Sequence, residues 1–213
     1  MAKLIEGIFG PISGKLGPVV GAVWMGIPYL RMSPNPTREK KPRTEAQLAN
    51  EQKFKFGNDW LVPFHPFLEV GFQQLAIGKT AIAAGFSANY REVFTGTWPD
   101  LSVHFDRLRI SLGNLPGLED MVITRPVPGR IALTWKAGYA SGTAFDDQVM
   151  LVVYSPALAY ADGRTGCAIR RDESCGFNLH PKLEDQALEV YVAVISSDRK
   201  KISDSVYLGR VEP

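Results

Sequence analysis

Ile131-Ala-Leu133-Thr-Trp135 is the stretch that decides the fold, because its large apolar residues stand at every second position. Successive side chains of a β-strand point to opposite faces of a sheet, so this spacing predicts a strand over residues 130–135 with one buried face. Further strands are predicted at residues 101–105, 107–112, 121–124, 148–154, 167–171, 176–179, 188–195 and 205–208. Short strands separated by turn sequences such as Pro128-Gly129 predict a β-sandwich or a barrel.

The segment 97–213 resembles an immunoglobulin-like sandwich of the fibronectin type. The stretch that ends at Trp135 is similar to the second strand of such a domain, which carries the core tryptophan. Residues 178–194 are similar to its E-to-F passage, and the turn around Asp198 is similar to the F–G connection. Leu188 departs from the pattern, because such domains usually place a tyrosine at this corner.

Residues 44–96 carry helical signals instead. Thr44-Glu-Ala-Gln47 fits a capping box and predicts a helix that ends near residue 61, before Pro63. Apolar residues at helical spacing predict a second helix over residues 64–75 and a third over residues 80–94. Together with the predicted sandwich, this region gives an α+β fold.

The segment 1–43, which we call the N-terminal arm, is apolar but rich in glycine and proline. Proline at positions 11 and 18 excludes one continuous helix, so we expect an extended segment. Residues 18–32 predict a hairpin that turns at Gly26, and residues 33–43 predict an extended proline-rich linker. We predict that the arm contacts another protein through five residues, namely Val19, Val23, Trp24, Tyr29 and Arg31.

A second resemblance covers nearly the whole chain. Four motifs are similar to those of an uncharacterised Bacteroidota family that carries a domain-of-unknown-function label: Ser13-Gly-Lys15 with Trp24-Met-Gly26 and Tyr29-Leu-Arg31, Pro42-Arg-Thr44-Glu-Ala-Gln47, Gly96-Thr-Trp98-Pro-Asp100, and Ser203-Asp-Ser205-Val-Tyr-Leu-Gly209. The resemblance implies a non-secreted protein, in some members associated with phage. It implies no activity and no catalytic residues.

Composition and motifs argue against several classes of function. The 213 residues carry a net charge of +2, which is too small to indicate nucleic-acid binding by itself. Gly10-Pro-Ile-Ser-Gly14-Lys15 has one residue too few between its glycines for a phosphate-binding loop. The three histidines show no metal-ligand spacing, and we expect Cys167 and Cys175 to be reduced thiols. We therefore predict no cofactor, no metal and no catalytic site.

The sequence also bears on localisation. No uninterrupted apolar core of a secretory signal occurs near Met1, and no apolar run reaches the roughly 18 residues that a membrane span needs. We expect cytoplasmic synthesis without a membrane span. Release by lysis, in a virion or in another particle, is the alternative.

Our leading hypothesis is a non-enzymatic structural protein that forms a homo-oligomer or joins a larger assembly. Strand addition by the arm would be the mechanism. One alternative is a recognition module that binds a carbohydrate or a protein through loops 136–147 and 155–166. Another is a nucleic-acid-associated particle protein that uses the basic linker residues Arg38, Lys40, Lys41 and Arg43.

Overall fold

The computed structural model describes residues 3–4, 7, 10–34 and 42–213. The chain divides into two compact units, Met1–Thr44 and Glu45–Pro213. The predicted helical region and the predicted sandwich thus belong to one unit. They share a continuous hydrophobic core.

The N-terminal unit is an antiparallel sheet in the order β1-β2-β3-β4, formed by β1 (Lys3–Leu4), β2 (Ile12–Leu16), β3 (Val19–Trp24) and β4 (Ile27–Met32). The predicted hairpin is confirmed as β3 and β4, with Trp24 paired to Ile27 across the turn. Met25 and Gly26 occupy that turn with φ of 49° and 79°. Two successive positive φ values define a type I′ turn, whose twist suits a two-residue hairpin.

The second unit begins with the helices α1 (Glu45–Leu61), α2 (His65–Gly71) and α3 (Ala81–Val93). The second helix is shorter than predicted, and a 3₁₀ turn over Gln73–Leu75 takes the place of its last residues. Thr80 caps α3, since its hydroxyl accepts a hydrogen bond from the Ala83 amide at 3.1 Å. A hairpin of β5 (Phe94–Thr97) and β6 (Asp100–Val103) follows.

The strand predicted over residues 107–112 is wrong, because the backbone there has several partners instead of one. A 3₁₀ turn spans Phe105–Arg107. The Ile110 amide then donates to the Ser205 hydroxyl, and the Leu112 amide donates to the Gly71 carbonyl. Hydrogen bonds to separate segments satisfy the backbone groups of residues 107–112, so these residues do not pair with a neighbouring strand.

The remaining strands form two facing sheets. One has the order β11-β8-β7 and the other the order β10-β9-β12-β13. Their bounds are β7 (Glu119–Val127), β8 (Arg130–Lys136), β9 (Gln148–Ser155), β10 (Tyr160–Ile169), β11 (Ser174–Asn178), β12 (Leu188–Ile195) and β13 (Val206–Val211). Written as A, B, E and C′, C, F, G, this is the strand order of a fibronectin-type, immunoglobulin-like sandwich. The predicted fold class is therefore confirmed.

Trp135 lies on the second strand of the sandwich, as predicted, and is buried. Its indole Nε1 donates to the Arg170 carbonyl at 2.8 Å, which satisfies its polar atom inside the core. Several strand boundaries differ from the prediction; β7, for example, spans Glu119–Val127 instead of residues 121–124. The fourth strand begins at Tyr160, because residues 160–165 continue the hairpin with β9, and the last strand begins at Val206.

Two hydrophobic cores share the strands β9 and β12. Val149, Leu151 and Val153 of β9 pack between the two sheets. Met150, Val152 and Tyr154, which alternate with them, pack against the helices. Strands buried on both faces carry continuous apolar runs, and this explains why residues 188–195 lack polar alternation.

Candidate docking surface

The N-terminal sheet exposes large apolar side chains on both of its faces. Directly paired residues of antiparallel strands point to the same face, so the register of β3 and β4 sorts them. Leu30 and Met32 share a face with Val19, Gly21 and Val23. On the opposite face, Trp24 pairs with Ile27, Ala22 with Tyr29, and Val20 with Arg31.

The exposure of these residues is high for their type. Trp24 is 57% exposed, Leu30 60% and Met32 67%. All six residues of β4 are exposed, whereas all eight residues of β12 are buried. Exposed apolar side chains in contiguous groups mark interaction surfaces more often than singly scattered ones do. The N-terminal sheet is therefore the strongest docking candidate on the chain.

Glycine shapes one face of this sheet. Gly14 has a φ of 104°, and Gly21 on the paired strand is buried. A Cβ atom on Gly21 would lie 1.9 Å from the carbonyl oxygen of Ile12, so only glycine permits this approach. An apolar groove of about 390 Å³ lies in this sheet and is lined by Gly10, Pro11, Ile12, Pro28, Tyr29 and Leu30.

The outer edge of β4 has backbone groups available for strand addition. The Ser33 amide donates to the Pro18 carbonyl at 2.7 Å, so odd-numbered residues of this strand turn their amides toward β3. Pro28, Leu30 and Met32 therefore turn their backbone groups outward. Pro28 has no N–H, which is tolerated because that position faces no strand in the part of the chain that the structure describes.

Only two charged side chains occur in residues 10–34, and both are positive. Lys15 pairs with Val20, and Val20 pairs with Arg31, so both cations lie on one rung and on one face. That face also carries Trp24 and Tyr29. The candidate surface thus combines apolar area with a small positive region.

The five predicted interface residues divide between the two faces of the sheet. Trp24, Tyr29 and Arg31 lie on one face, and Val19 and Val23 lie on the other. The prediction omitted the apolar side chains Ile27, Leu30 and Met32 of β4. Their signal in the sequence is the lack of polar alternation over residues 27–32.

Of the predicted basic patch, Arg38, Lys40 and Lys41 lie outside the described residues. Arg43 is described and exposed, directly before the residue that precedes α1. The nucleic-acid hypothesis therefore gains no geometric support from these positions.

The two predicted recognition loops do not meet. Residues 137–147 connect β8 to β9, whereas residues 156–159 connect the far end of β9 to β10. At about 3.3 Å per residue, the eight-residue β9 separates these two ends by roughly 25 Å. The first loop instead borders a groove of about 340 Å³, whose lining includes Asn114, Ser141, Gly142, Lys200 and Lys201.

Arg170 braces this end of the sandwich, a buried role that was not predicted from the sequence. The side chain is fully buried, and its Nε lies 3.1 Å from an oxygen of the buried Asp147. Its remaining nitrogens donate to the carbonyls of Pro116, Gly117, Ala137 and Gly138. A buried charge needs such a complete set of partners, and here they join the loop to the segment before β7.

Cys167 and Cys175 are both free thiols, as expected. The pKa of Cys167 is raised above its usual range. The main cause is its hydrogen bond to Cys175, and the second is burial. Cys167 also donates to the Val149 carbonyl at 3.4 Å.

Among the described residues, no group of three His, Cys, Asp or Glu side chains lies close enough together to hold a metal ion. Nor does that part of the chain contain a helix long and apolar enough to span a membrane.

Fold and surface together define an α+β protein in which an immunoglobulin-like sandwich carries a helical layer and the N-terminal unit is a β-sheet. The chain belongs to the family of unknown function DUF6266, whose profile matches residues 11–209.

Among solved structures, the fibronectin type III domain of the human collagen alpha-1(XX) chain is similar to part of this chain. The identity is 12%, the match covers 46% of this chain and 83% of the other, and the TM-score is 0.33. A likeness of this size carries no argument, and the sandwich assignment rests on the strand order. No curated protein matches the sequence.

Proposed function

We propose that this protein is a non-enzymatic structural protein that assembles with copies of itself through the N-terminal sheet. The observation that carries the proposal is β4, an edge strand whose six residues are all exposed and mostly apolar. Natural proteins usually protect such an edge with charges or short length, because it pairs readily with other strands. Only the outward Pro28 and the charge of Arg31 protect this edge, and its exposed apolar side chains support a role in pairing.

The side chains beside the edge support the same proposal. A small sheet with apolar residues exposed on both faces is marginally stable by itself and gains stability when a partner covers it. Trp24 and Tyr29 are of the residue types that dominate binding energy at interfaces. The assembly we propose is a filament or a phage-like particle.

The test uses the full chain and the variant Trp24→Ser. The exposed 57% of Trp24 corresponds to about 140 Å² of side chain, and its burial is worth roughly 3.5 kcal/mol at about 25 cal/mol per Å². If this area is buried on assembly, the dissociation constant of the variant rises by about two to three orders of magnitude. Light scattering over a dilution series, with electron microscopy of the same samples, measures the change.

Trp98→Ser is the matched control, because Trp98 is 45% exposed but lies in the β5–β6 turn of the second unit. We expect this variant to assemble as the wild type does. A full-length protein that remains a 23.5 kDa monomer at every concentration would refute the proposal.

A second candidate function is recognition of an acidic ligand at the loop end of the sandwich. The groove that includes Lys200, Lys201 and Ser141 favours it, because two cations and several polar groups line one concave site. Screening of acidic glycans against the wild type and a Lys200→Ala, Lys201→Ala variant tests it. Binding that is equal in both proteins, or absent from both, would exclude this site.

A further inference from the structure

We propose that the partner of β4 is the β4 strand of a second copy, paired antiparallel about a twofold axis that passes beside Leu30. This inference rests on the proposed function, because it names the occupant and the register of the same edge. A twofold contact uses one surface on both copies, and that surface must therefore complement itself. The hydrogen bonds and the charges of β4 both meet this condition.

The hydrogen-bonding groups of the edge complement themselves around Leu30. In this register the two Leu30 residues exchange both of their backbone hydrogen bonds. Each Met32 amide donates to the Pro28 carbonyl of the other copy. All four outward amides of the two strands are then used. Pro28, which has no N–H to donate, lies at each end of the paired segment.

Moving the register by two residues changes these bonds. With Leu30 opposite Pro28, each Leu30 amide still donates to a Pro28 carbonyl, but Pro28 has no N–H to return the bond, so these pairs form only two bonds. With Leu30 opposite Met32, four bonds form again. Hydrogen bonding therefore excludes the first alternative and leaves the second to be decided by the side chains.

Charge decides between the two remaining registers. With Leu30 opposite Met32, the two Arg31 side chains stand directly opposite each other, and like charges so placed are destabilising. With Leu30 opposite Leu30, each Arg31 faces Tyr29 of the other copy. The guanidinium can then lie over an aromatic ring, which is a favourable arrangement. Arg31, the only charged residue of β4, thus sets the register.

The chemistry of β4 also distinguishes a second copy from an acidic strand of another protein. An acidic strand would satisfy Arg31 through carboxylates on the face opposite Leu30 and Met32, and it would still need apolar side chains against these two exposed residues. A second copy places apolar side chains there and a tyrosine at the arginine. We therefore assign the edge to self-pairing.

Cysteine cross-linking in the full chain tests the register. Three single variants are prepared, Tyr29→Cys, Arg31→Cys and Ser33→Cys. They are mixed two at a time, and one variant of each mixture is labelled with ¹⁵N, so that a disulfide between the two different variants can be recognised by its mass. All three positions lie on one face and belong to narrow, non-hydrogen-bonded pairs across the proposed contact. A disulfide requires Cα atoms within about 7 Å, so cross-linking reports direct opposition.

The mixture of Tyr29→Cys with Arg31→Cys is expected to yield the mixed disulfide. The mixture of Tyr29→Cys with Ser33→Cys, which retains Arg31 in both copies and reports the shifted register, is expected to yield about tenfold less. Wild type, which has only Cys167 and Cys175, controls for the native thiols. Mass spectrometry of the linked peptides identifies each product.

Light scattering on the same samples separates the two proposals. A multimer in which the second mixture cross-links as well as the first, or in which neither does, overturns the register and leaves the proposed function standing. A monomer overturns both. The expected pattern in a multimer supports both, since the disulfide then forms between the positions that the twofold contact brings together.

Discussion

Replacing Leu30 by proline tests the free edge of β4, because it removes one outward N–H group per copy together with the leucine side chain. The Leu30 amide faces away from β3, so the internal ladder of the N-terminal sheet retains its hydrogen bonds. Between two copies, the four edge bonds fall to two. Each backbone hydrogen bond contributes about 0.5–1.5 kcal/mol net, so the loss is about 1–3 kcal/mol. The dissociation constant should therefore rise by about 5- to 150-fold.

The control for Leu30→Pro is the neighbouring change Tyr29→Pro. The Tyr29 amide faces β3, so proline there removes a bond of the internal ladder and opens the hairpin. Sedimentation velocity gives the dissociation constants, and hydrogen exchange of the Ala22 amide reports the hairpin. Equal loss of exchange protection in both variants would refute the assignment of inward and outward amides. An unchanged dissociation constant in Leu30→Pro would show that the edge is not used.

Three further predictions concern the sheet, the loop end and the thiols. Gly21→Val would collide with the Ile12 carbonyl, so hydrogen exchange should show loss of the N-terminal sheet, while calorimetry shows an unchanged main transition. Asp147→Ala leaves the Arg170 charge buried without its carboxylate, so urea unfolding should show a loss of about 3–5 kcal/mol. Cys167 should stay protonated at pH 8, because its pKa is raised, and mass spectrometry should find it unmodified by iodoacetamide until the protein unfolds.

Two of these predictions have a control variant in the chain. A Cβ atom on Gly117 would meet nothing within 4 Å, so Gly117→Ala should leave hydrogen exchange of the N-terminal sheet unchanged. Asp146→Ala removes the neighbouring, half-buried carboxylate and should cost less than about 1 kcal/mol. Rapid alkylation of Cys167 in the folded protein would contradict the stated pKa direction.

Much of the sandwich could be predicted from the sequence, because its strands carry local signals. The alternation around Trp135 and the turn at Pro128-Gly129 depend only on neighbouring residues. The strand predicted over residues 107–112 failed for the opposite reason. Its partners include Gly71, Asn89 and Ser205, and no local pattern encodes contacts at such separation.

The docking surface could be predicted in part. The hairpin, its turn at Gly26 and the outward position of Pro28 follow from turn chemistry and the lack of a proline N–H. Which apolar residues stay exposed does not follow, because exposure depends on what covers the sheet. The buried role of Arg170 could not be predicted, because arginine is usually exposed and only the fold shows the carbonyls that converge on it.

The strands β9 and β12, buried on both faces, have a consequence for synthesis. The apolar sides of the helices leave the ribosome first, yet the strand surfaces that cover them lie within residues 148–195. At about 5–20 residues per second, the end of α3 precedes the end of β12 by roughly 5–20 s. Throughout that interval Phe64 lacks the rings of Tyr154 and Tyr191, which it contacts in the folded protein. We therefore expect a ribosome-associated chaperone to bind the nascent helical segment during this interval.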